Sequence, residues 1–332
     1  MTPGIIGRPS DPQVRRVASR LRALDAEPVI LDLSRFPGRW RVSIVDGVPA
    51  WPGVDVAAVG AWYVRSMPLP LPFQPLRHGA EPGGAVLVSA TKRAYATGRE
   101  CRSFLYSFVD GLRRAGATLV NPPAAAAQHF LKLEQLELLR AARIPVPRTL
   151  ASNDPEAVVE FASGLAGPMV YKPLAGGGLC RRASAEDLRP PRLRALAAAP
   201  VMFQEEIPGR NIRVYVVAGE VVAGYEIVSD ALDYRAAETA VHATTPTDAE
   251  QAACRAAADA CEMVLTGIDI RRRPDGSFAL LECNPSPMFA AIERRTGAAP
   301  VTQAISQLLT RAPRAAAIGP SVDDWRRDLG PT

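Results

Sequence analysis

The chain of 332 residues is long enough for two or three domains with their own cores. Its 48% hydrophobic and 22% charged content excludes a disordered or fibrous protein. No apolar run reaches the length of a membrane span, the start MTPGIIGRPSDPQ lacks the pattern of a signal peptide, and the five cysteines form no CxxC pair, so a cytoplasmic protein without membrane partner, disulfide framework or zinc site is expected.

A formal charge of +5 is compatible with an acidic substrate or a polyphosphate, whereas the absence of a basic run with interleaved aromatics argues against nucleic acid. Strands are predicted at 3–7, in PVILDLS, in VAAVGAWYVRS and in GATLVNPP, with a helix over 11–24 and a hairpin about Asp46-Gly47. A Pro/Gly-rich segment, PLPLPFQPLRHGAEPGG, precedes a long helix over 90–115. Alternating strands and helices predict an open α/β domain over 1–120.

From 121 the pattern changes. FLKLEQLELLRAARI reads as a helix closed by Pro145 and Pro147, followed by strands PRTLAS, PMVYKPL and VMFQEEI and by helices DPEAVVEFASGL and 191–199. This segment, 121–200, is expected to form a second domain, 201–312 a third, and 313–332 a tail. The third holds a strand pair about Gly219-Glu220, a helix in TDAEQAACRAAADACEMVL and a last helix over 300–310.

Only three of the 39 basic residues are lysines, Lys92, Lys132 and Lys172, so a lysine here suggests a site that needs a compact ammonium. Lys172 ends an apolar strand directly before a loop with Gly176, Gly177 and Gly178, whose missing Cβ atoms let backbone N–H groups approach phosphate. In VMFQEEIPGRNIRVYVV a strand meets a linker and re-enters a sheet. Gln204 and Asn211 there could contact a nucleotide base and sugar, or the segment could be an ordinary hinge.

The stretch GIDIRRRPDGSFALLECNPSP, 267–287, reads as a hairpin. A type I′ turn at Asp275-Gly276 would set Asp269 opposite Glu282, with Asn284 on the same face as Glu282. Opposed carboxylates repel, and a magnesium ion between them removes the conflict; a solvent-facing edge hairpin is the other reading.

Taken in order, KLEQLELLRAARIPVPRT, VYKPLAGGG, FQEEIPGRNIRVYVVAGEVVAGYEI and GIDI followed by ECNPSP resemble the ATP-grasp superfamily, and within it the RimK-like carboxylate–amine ligases, over about 121–306. The resemblance implies an α/β (α+β) ATP-grasp fold, with 121–200 as central lid subdomain and 201–312 as the C-terminal subdomain carrying the metal site. It implies ATP contacts from Lys132 and Lys172, adenine contacts at Gln204, Glu205 and Ile207, and a ribose contact at Asn211, which stands where the family usually has an acid. Asp269, Glu282 and Asn284 match the ligands of two magnesium ions, with manganese as a substitute, and Arg213 matches the arginine of the family's DIR motif near the reacting phosphate. The implied reaction activates a carboxylate as an acyl phosphate, which an amine or hydroxyl then attacks. Arg235, in DYR, is the candidate to grip the reacting carboxylate with a two-pronged guanidinium.

GAWYVRSMP, YEIVSDALDYR and NPSPMFAAIERRTG further resemble the graspetide-type ligases that macrocyclise ribosomal peptides, although WYVR only approximates their aromatic–Arg–Arg pattern. Trp62 and Tyr63 could equally be packing residues of a core strand. The expected partners are ATP and a carboxylate substrate on a peptide. A RimK-like ligase adding a free amino acid to a small molecule or protein terminus, and a nucleotide-binding protein without turnover, are the alternatives. Self-association into a homo-oligomer is left open.

Overall fold

The structure is a computed structural model that describes residues 2–65, 84–175, 178–235 and 237–311. Gly176, Gly177, the Pro/Gly-rich segment up to 83, the side chain of Lys92 and the tail 313–332 lie outside the described residues. Among the described residues no helix is long and apolar enough to cross a membrane. The chain divides into two compact units: residues up to Pro123 together with the chain from Ile305 on, and Ala124–Ala304.

In the first unit, strands β1 (Thr2–Ile6), β2 (Val29–Leu31), β5 (Val59–Val64) and β6 (Thr118–Val120) form a parallel sheet in the order β2-β1-β5-β6. Between them lie helices α1 (Pro12–Arg22) and α2 (Gly84–Arg114) and a small hairpin, β3 (Ser43–Val45) and β4 (Val48–Ala50). Every residue of β5 is buried, as expected for a parallel strand covered on both faces. Trp62 and Tyr63 are therefore packing residues of a core strand. The Trp62 ring lies over Gly4 of the neighbouring strand, where a Cβ would come within 2.2 Å of it. Arg65, at the end of the same strand, pairs at 3.2 Å with Asp11, the N-cap of α1.

The second unit holds helices α3 (Pro123–Ala127) and α4 (Lys132–Ala141) at its start and two antiparallel sheets. The smaller sheet, in the order β7-β10-β8-β9, contains β7 (Thr149–Ser152), β8 (Met169–Lys172), β9 (Arg181–Arg182) and β10 (Val201–Glu205). Helices α5 (Pro155–Ser163) and α6 (Pro190–Leu193) complete it, around a core of Val158, Met169, Leu193, Leu196 and Phe203. The larger sheet, in the order β13-β12-β11-β14-β15, contains β11 (Arg210–Val217), β12 (Glu220–Ser229), β13 (Glu238–Ala243), β14 (Leu265–Arg272) and β15 (Phe278–Asn284). Helix α7 (Asp248–Ala260), started by a Thr247–Glu250 capping box, packs Cys254, Ala257 and Ala258 against Ile212, Val214, Val216, Ile268, Ile270 and Leu280 of this sheet. Helices α8 (Ala290–Thr296) and α9 (Pro300–Arg311) end the described chain.

Strand alternation decides what the larger sheet can do. With Ile212, Val214, Ile268 and Ile270 turned into the core, Asn211, Arg213, Asp269 and Arg271 must share the opposite face. The β14–β15 turn differs from the expected type I′ turn. Arg273 pairs with Ser277 (N–H to O, 2.7 Å), Gly276 donates to Arg273 O at 3.0 Å, and only Gly276 has positive φ, at 85°. Pro274 cannot take positive φ and suits the second position of a type I turn, so a three-residue loop closed by Gly276 results. Near the turn this shifts the register by one residue. A bulge at Leu281 shifts it back, and Asp269 does stand opposite Glu282. The β11–β12 turn is centred on Ala218 and Gly219, both at positive φ, one residue earlier than expected.

Candidate active site

Within the second unit the two sheets frame one cleft. Lys132, Lys172, Gly178, Gln204, Glu205, Ile207, Asn211, Arg213, Arg235, Asp269, Glu282 and Asn284 all line it. Apart from Gly176 and Gly177, the residues singled out in the sequence thus come together from α4, both sheets and the loop after β12.

At the β10 end, Gln204 is buried and donates to Thr149 Oγ1 at 2.9 Å, while Glu205 accepts from the Arg148 N–H at 2.9 Å. Ile207 is buried and lines the cleft. Asn211 donates to Ile227 O at 3.3 Å.

Lys172 has no ion-pair partner among the described residues, and burial pushes its ammonium below its ordinary pKa. A desolvated cation without an anion is costly and is offset when a phosphate arrives. Among the described residues Arg271 is a second cation without a carboxylate: it donates to Gly209 O (3.0 Å) and Leu232 O (2.7 Å), and burial lowers its pKa.

The opposed carboxylates do not face each other bare. Lys132 Nζ lies 2.7 Å from Glu282 Oε1, and Arg213 Nε lies 2.7 Å from Asp269 Oδ1. The two acids are tuned in opposite directions. Burial pushes Asp269 up, more than Arg213 pulls it down; burial also pushes Glu282 up, but Lys132, with Lys172 and Arg213, outweighs it and holds the carboxyl below its ordinary range. Tyr234 bridges Arg213 and Asp269: its hydroxyl accepts from Arg213 Nη2 and donates to Asp269 Oδ1 at 3.2 Å. Gly267 permits this arrangement, since a Cβ there would stand 2.8 Å from Arg213 Nη1.

The donor set fits magnesium. Asp269, Glu282 and Asn284 offer oxygen only, and among the described residues no group of three His, Cys, Asp or Glu side chains could hold a metal unaided. Magnesium is commonly held by one or two carboxylates, with water and substrate phosphates completing its shell. The Asn284 side-chain oxygen also accepts from Ser286 N–H at 2.9 Å, which fixes the amide's orientation.

Arg235 is held by its neighbour. It donates to both Asp233 oxygens (2.8 and 2.5 Å) and to Gly178 O at 3.0 Å, while Asp233 accepts from Cys180 N–H at 2.9 Å. The pair thereby fastens the end of the glycine loop to the segment after β12. Sequence reasoning missed Asp233, Tyr234, Gly267 and Arg271. A hydroxyl one position before Arg235 was the available signal for Tyr234, and the glycine of GIDI for Gly267.

Residues 131–308 match the RimK-like ATP-grasp domain. The chain belongs to the RimK-like ATP-grasp family. It is 31% identical over 205 residues to a probable alpha-L-glutamate ligase of Stenotrophomonas maltophilia, covering 58% of this chain and 70% of that protein. It is 30% identical over 212 residues to a probable alpha-L-glutamate ligase of Shewanella amazonensis, covering 58% and 69%. Among solved structures, the ATP-grasp ligase PsnB complexed with minimal precursor aligns at TM-score 0.81 and 33% identity over 93% of this chain and 98% of its own. PsnB with minimal precursor, Mg and ADP aligns at 0.78 and 34%, over 92% and 96%. The macrocyclase MdnC of Microcystis aeruginosa, bound with its precursor peptide, shares the fold at TM-score 0.76 and 23% identity. This RimK-like protein is an ATP-grasp ligase, an enzyme of the carboxylate–amine ligase class, whose members use ATP and magnesium.

Proposed function

We propose that this ligase activates a side-chain carboxylate of a peptide and joins it to an amine or hydroxyl of the same peptide. The observation that supports the peptide reading is that PsnB complexed with minimal precursor aligns at TM-score 0.81 and 33% identity over 93% of the chain, the first unit included. In this reading 121–200 acts as the lid and 201–312 as the metal-bearing subdomain. Gln204, Glu205 and Ile207 receive the adenine and Asn211 the ribose. Lys132, Lys172 and the loop Gly176, Gly177 and Gly178 receive the phosphates. Asp269, Glu282 and Asn284 would hold two magnesium ions, replaceable by manganese, which would supply neutralisation of phosphate charge.

A carboxylate oxygen of the substrate attacks the γ-phosphorus, ADP leaves, and the amine or hydroxyl then displaces phosphate from the acyl phosphate, losing its proton. Lys172 and Arg213 offset charge during transfer. In this reading Arg235 exchanges its Asp233 contact for the substrate carboxylate or acyl phosphate. The lid excludes water that would hydrolyse the intermediate.

The second reading is favoured by the glutamate ligases among the relatives: addition of a free amino acid to an acceptor. Incubation with ATP, magnesium and candidate acidic peptides, followed by mass measurement, separates the two. Loss of one water per bond supports peptide cyclisation, and gain of an amino acid residue supports the second reading.

A further inference from the structure

Strand β15 is the edge of its sheet, so one row of its backbone groups has no neighbouring strand. At Cys283 a side chain replaces that strand. Gln135, on α4, accepts from Cys283 N–H at 2.8 Å and donates to Cys283 O at 2.8 Å. Gln135 is 2% exposed and Cys283 is fully buried. The amide thus imitates the peptide of an adjacent strand across 148 residues of sequence.

The location matters. Glu282 and Asn284 flank Cys283 and project to the cleft, so rotation of the Cys283 peptides would swing both oxygen ligands. On its inner edge β15 is interrupted by the bulge immediately before Glu282, where the ladder with β14 loses its regular pairing. From Glu282 to Asn284 the ladder with β14 is regular again, so the Gln135 clamp holds the same stretch of backbone from its other edge. The same helix supplies the second contact: Lys132, three residues before Gln135 and on the same face, reaches the Glu282 carboxylate. Burying the Gln135 amide costs desolvation that an apolar side chain would avoid, and among the described residues the two bonds to Cys283 offset it.

We infer that Gln135 is a positioning residue that holds the Glu282 and Asn284 oxygens at magnesium-binding geometry. This rests on the reading of those residues as magnesium ligands. The test uses the full chain with ADP and increasing magnesium chloride, read as thermal stabilisation, beside the magnesium dependence of ATP turnover. Gln135→Met removes both bonds at similar volume; Gln135→Asn keeps the amide but is one methylene short. Each is expected to raise the magnesium concentration for half-maximal stabilisation about tenfold or more, the size of effect seen when groups supporting a metal's ligands are lost, and to raise the magnesium requirement of turnover in parallel. A merely structural role lowers the melting temperature without metal and leaves half-saturation unchanged, and that outcome overturns the inference. If the Met variant does not fold, the Asn variant decides. Glu282→Gln is the control. If it loses the magnesium-dependent stabilisation while both Gln135 variants keep the parent's half-saturation, the metal reading stands and the inference falls; if it retains that stabilisation, the metal reading itself fails.

Discussion

Two hairpins of this chain turn on Asp-Gly, and they turn differently. In β3–β4, Asp46 and Gly47 sit at φ 49° and 82°, and Val45 pairs directly with Val48. In β14–β15 only Gly276 is at positive φ, and a three-residue loop replaces the two-residue one. The residue before the dipeptide makes the difference: Val45 continues a strand, whereas Pro274 fixes its own φ near −65° and starts a type I turn. The first hairpin carries packing alone. The second carries a bulge, and beyond that bulge the acids of the active site. A turn dipeptide therefore specifies a bend, and its neighbour specifies the register.

The comparison breaks if the two hairpins respond alike to substitution. The largest contrast is expected at the acids. Glu282→Gln and Asp269→Asn should each lower turnover by at least about a hundredfold, since each would remove a ligand of the proposed magnesium site. Ile44→Ala, on the other hairpin, should cost about 1–2 kcal/mol of stability and leave turnover per folded molecule unchanged. ADP release beside thermal melts measures both. Glu282→Gln should also lower stability without ligand by about 1–3 kcal/mol, because Lys132 is left partly buried and unpaired.

Lys172→Met sharpens the point with the opposite sign. It removes a half-buried ammonium that has no ion-pair partner among the described residues, so stability without ligand should rise by about 1 kcal/mol, while stabilisation by magnesium-nucleotide and turnover should both be lost. Melts with and without nucleotide show whether the two signs separate. Tyr234→Phe removes one hydroxyl bridging Arg213 and Asp269. Turnover should fall about tenfold, in keeping with a hydrogen bond to a charged group, with little change in melting temperature. The smallest effects belong to the turns themselves. Gly47→Ala should cost about 1–2 kcal/mol through its left-handed φ, and Pro274→Ala about 0.4–1 kcal/mol through the unfolded chain, in each case without a change in turnover.

Much of the site was legible because its chemistry is sparse. In a chain almost without lysine, Lys132 and Lys172 stood out, and both line the cleft. The facing of Asp269 and Glu282 was read correctly from a turn that does not form: a register error of one residue at Pro274 is cancelled by an extra residue at Leu281. A bulge depends on both strands and leaves no local signal. The sequence pattern puts the β11–β12 turn one residue late because Gly219 suits its first position, whereas Ala218 accepts φ 50° there. Arg235 was legible as a site residue, but its capture by Asp233 was not. Gln135 and Tyr234 act through contacts with distant segments, and nothing near either residue in sequence marks its partner.

The ion pairs on either side of the site have a consequence for the order of assembly. Lys132 and Arg213 already satisfy Glu282 and Asp269, so the two acids of the cleft are neutralised by tethered cations. A free divalent ion must compete with two tethered cations and offers them nothing in return. A triphosphate carries anions to which both can transfer, releasing the acids as it lands. Metal and nucleotide should therefore promote each other's entry by the same factor, as thermodynamic reciprocity requires. Calorimetry should find magnesium alone a poor ligand and the magnesium-nucleotide pair a good one.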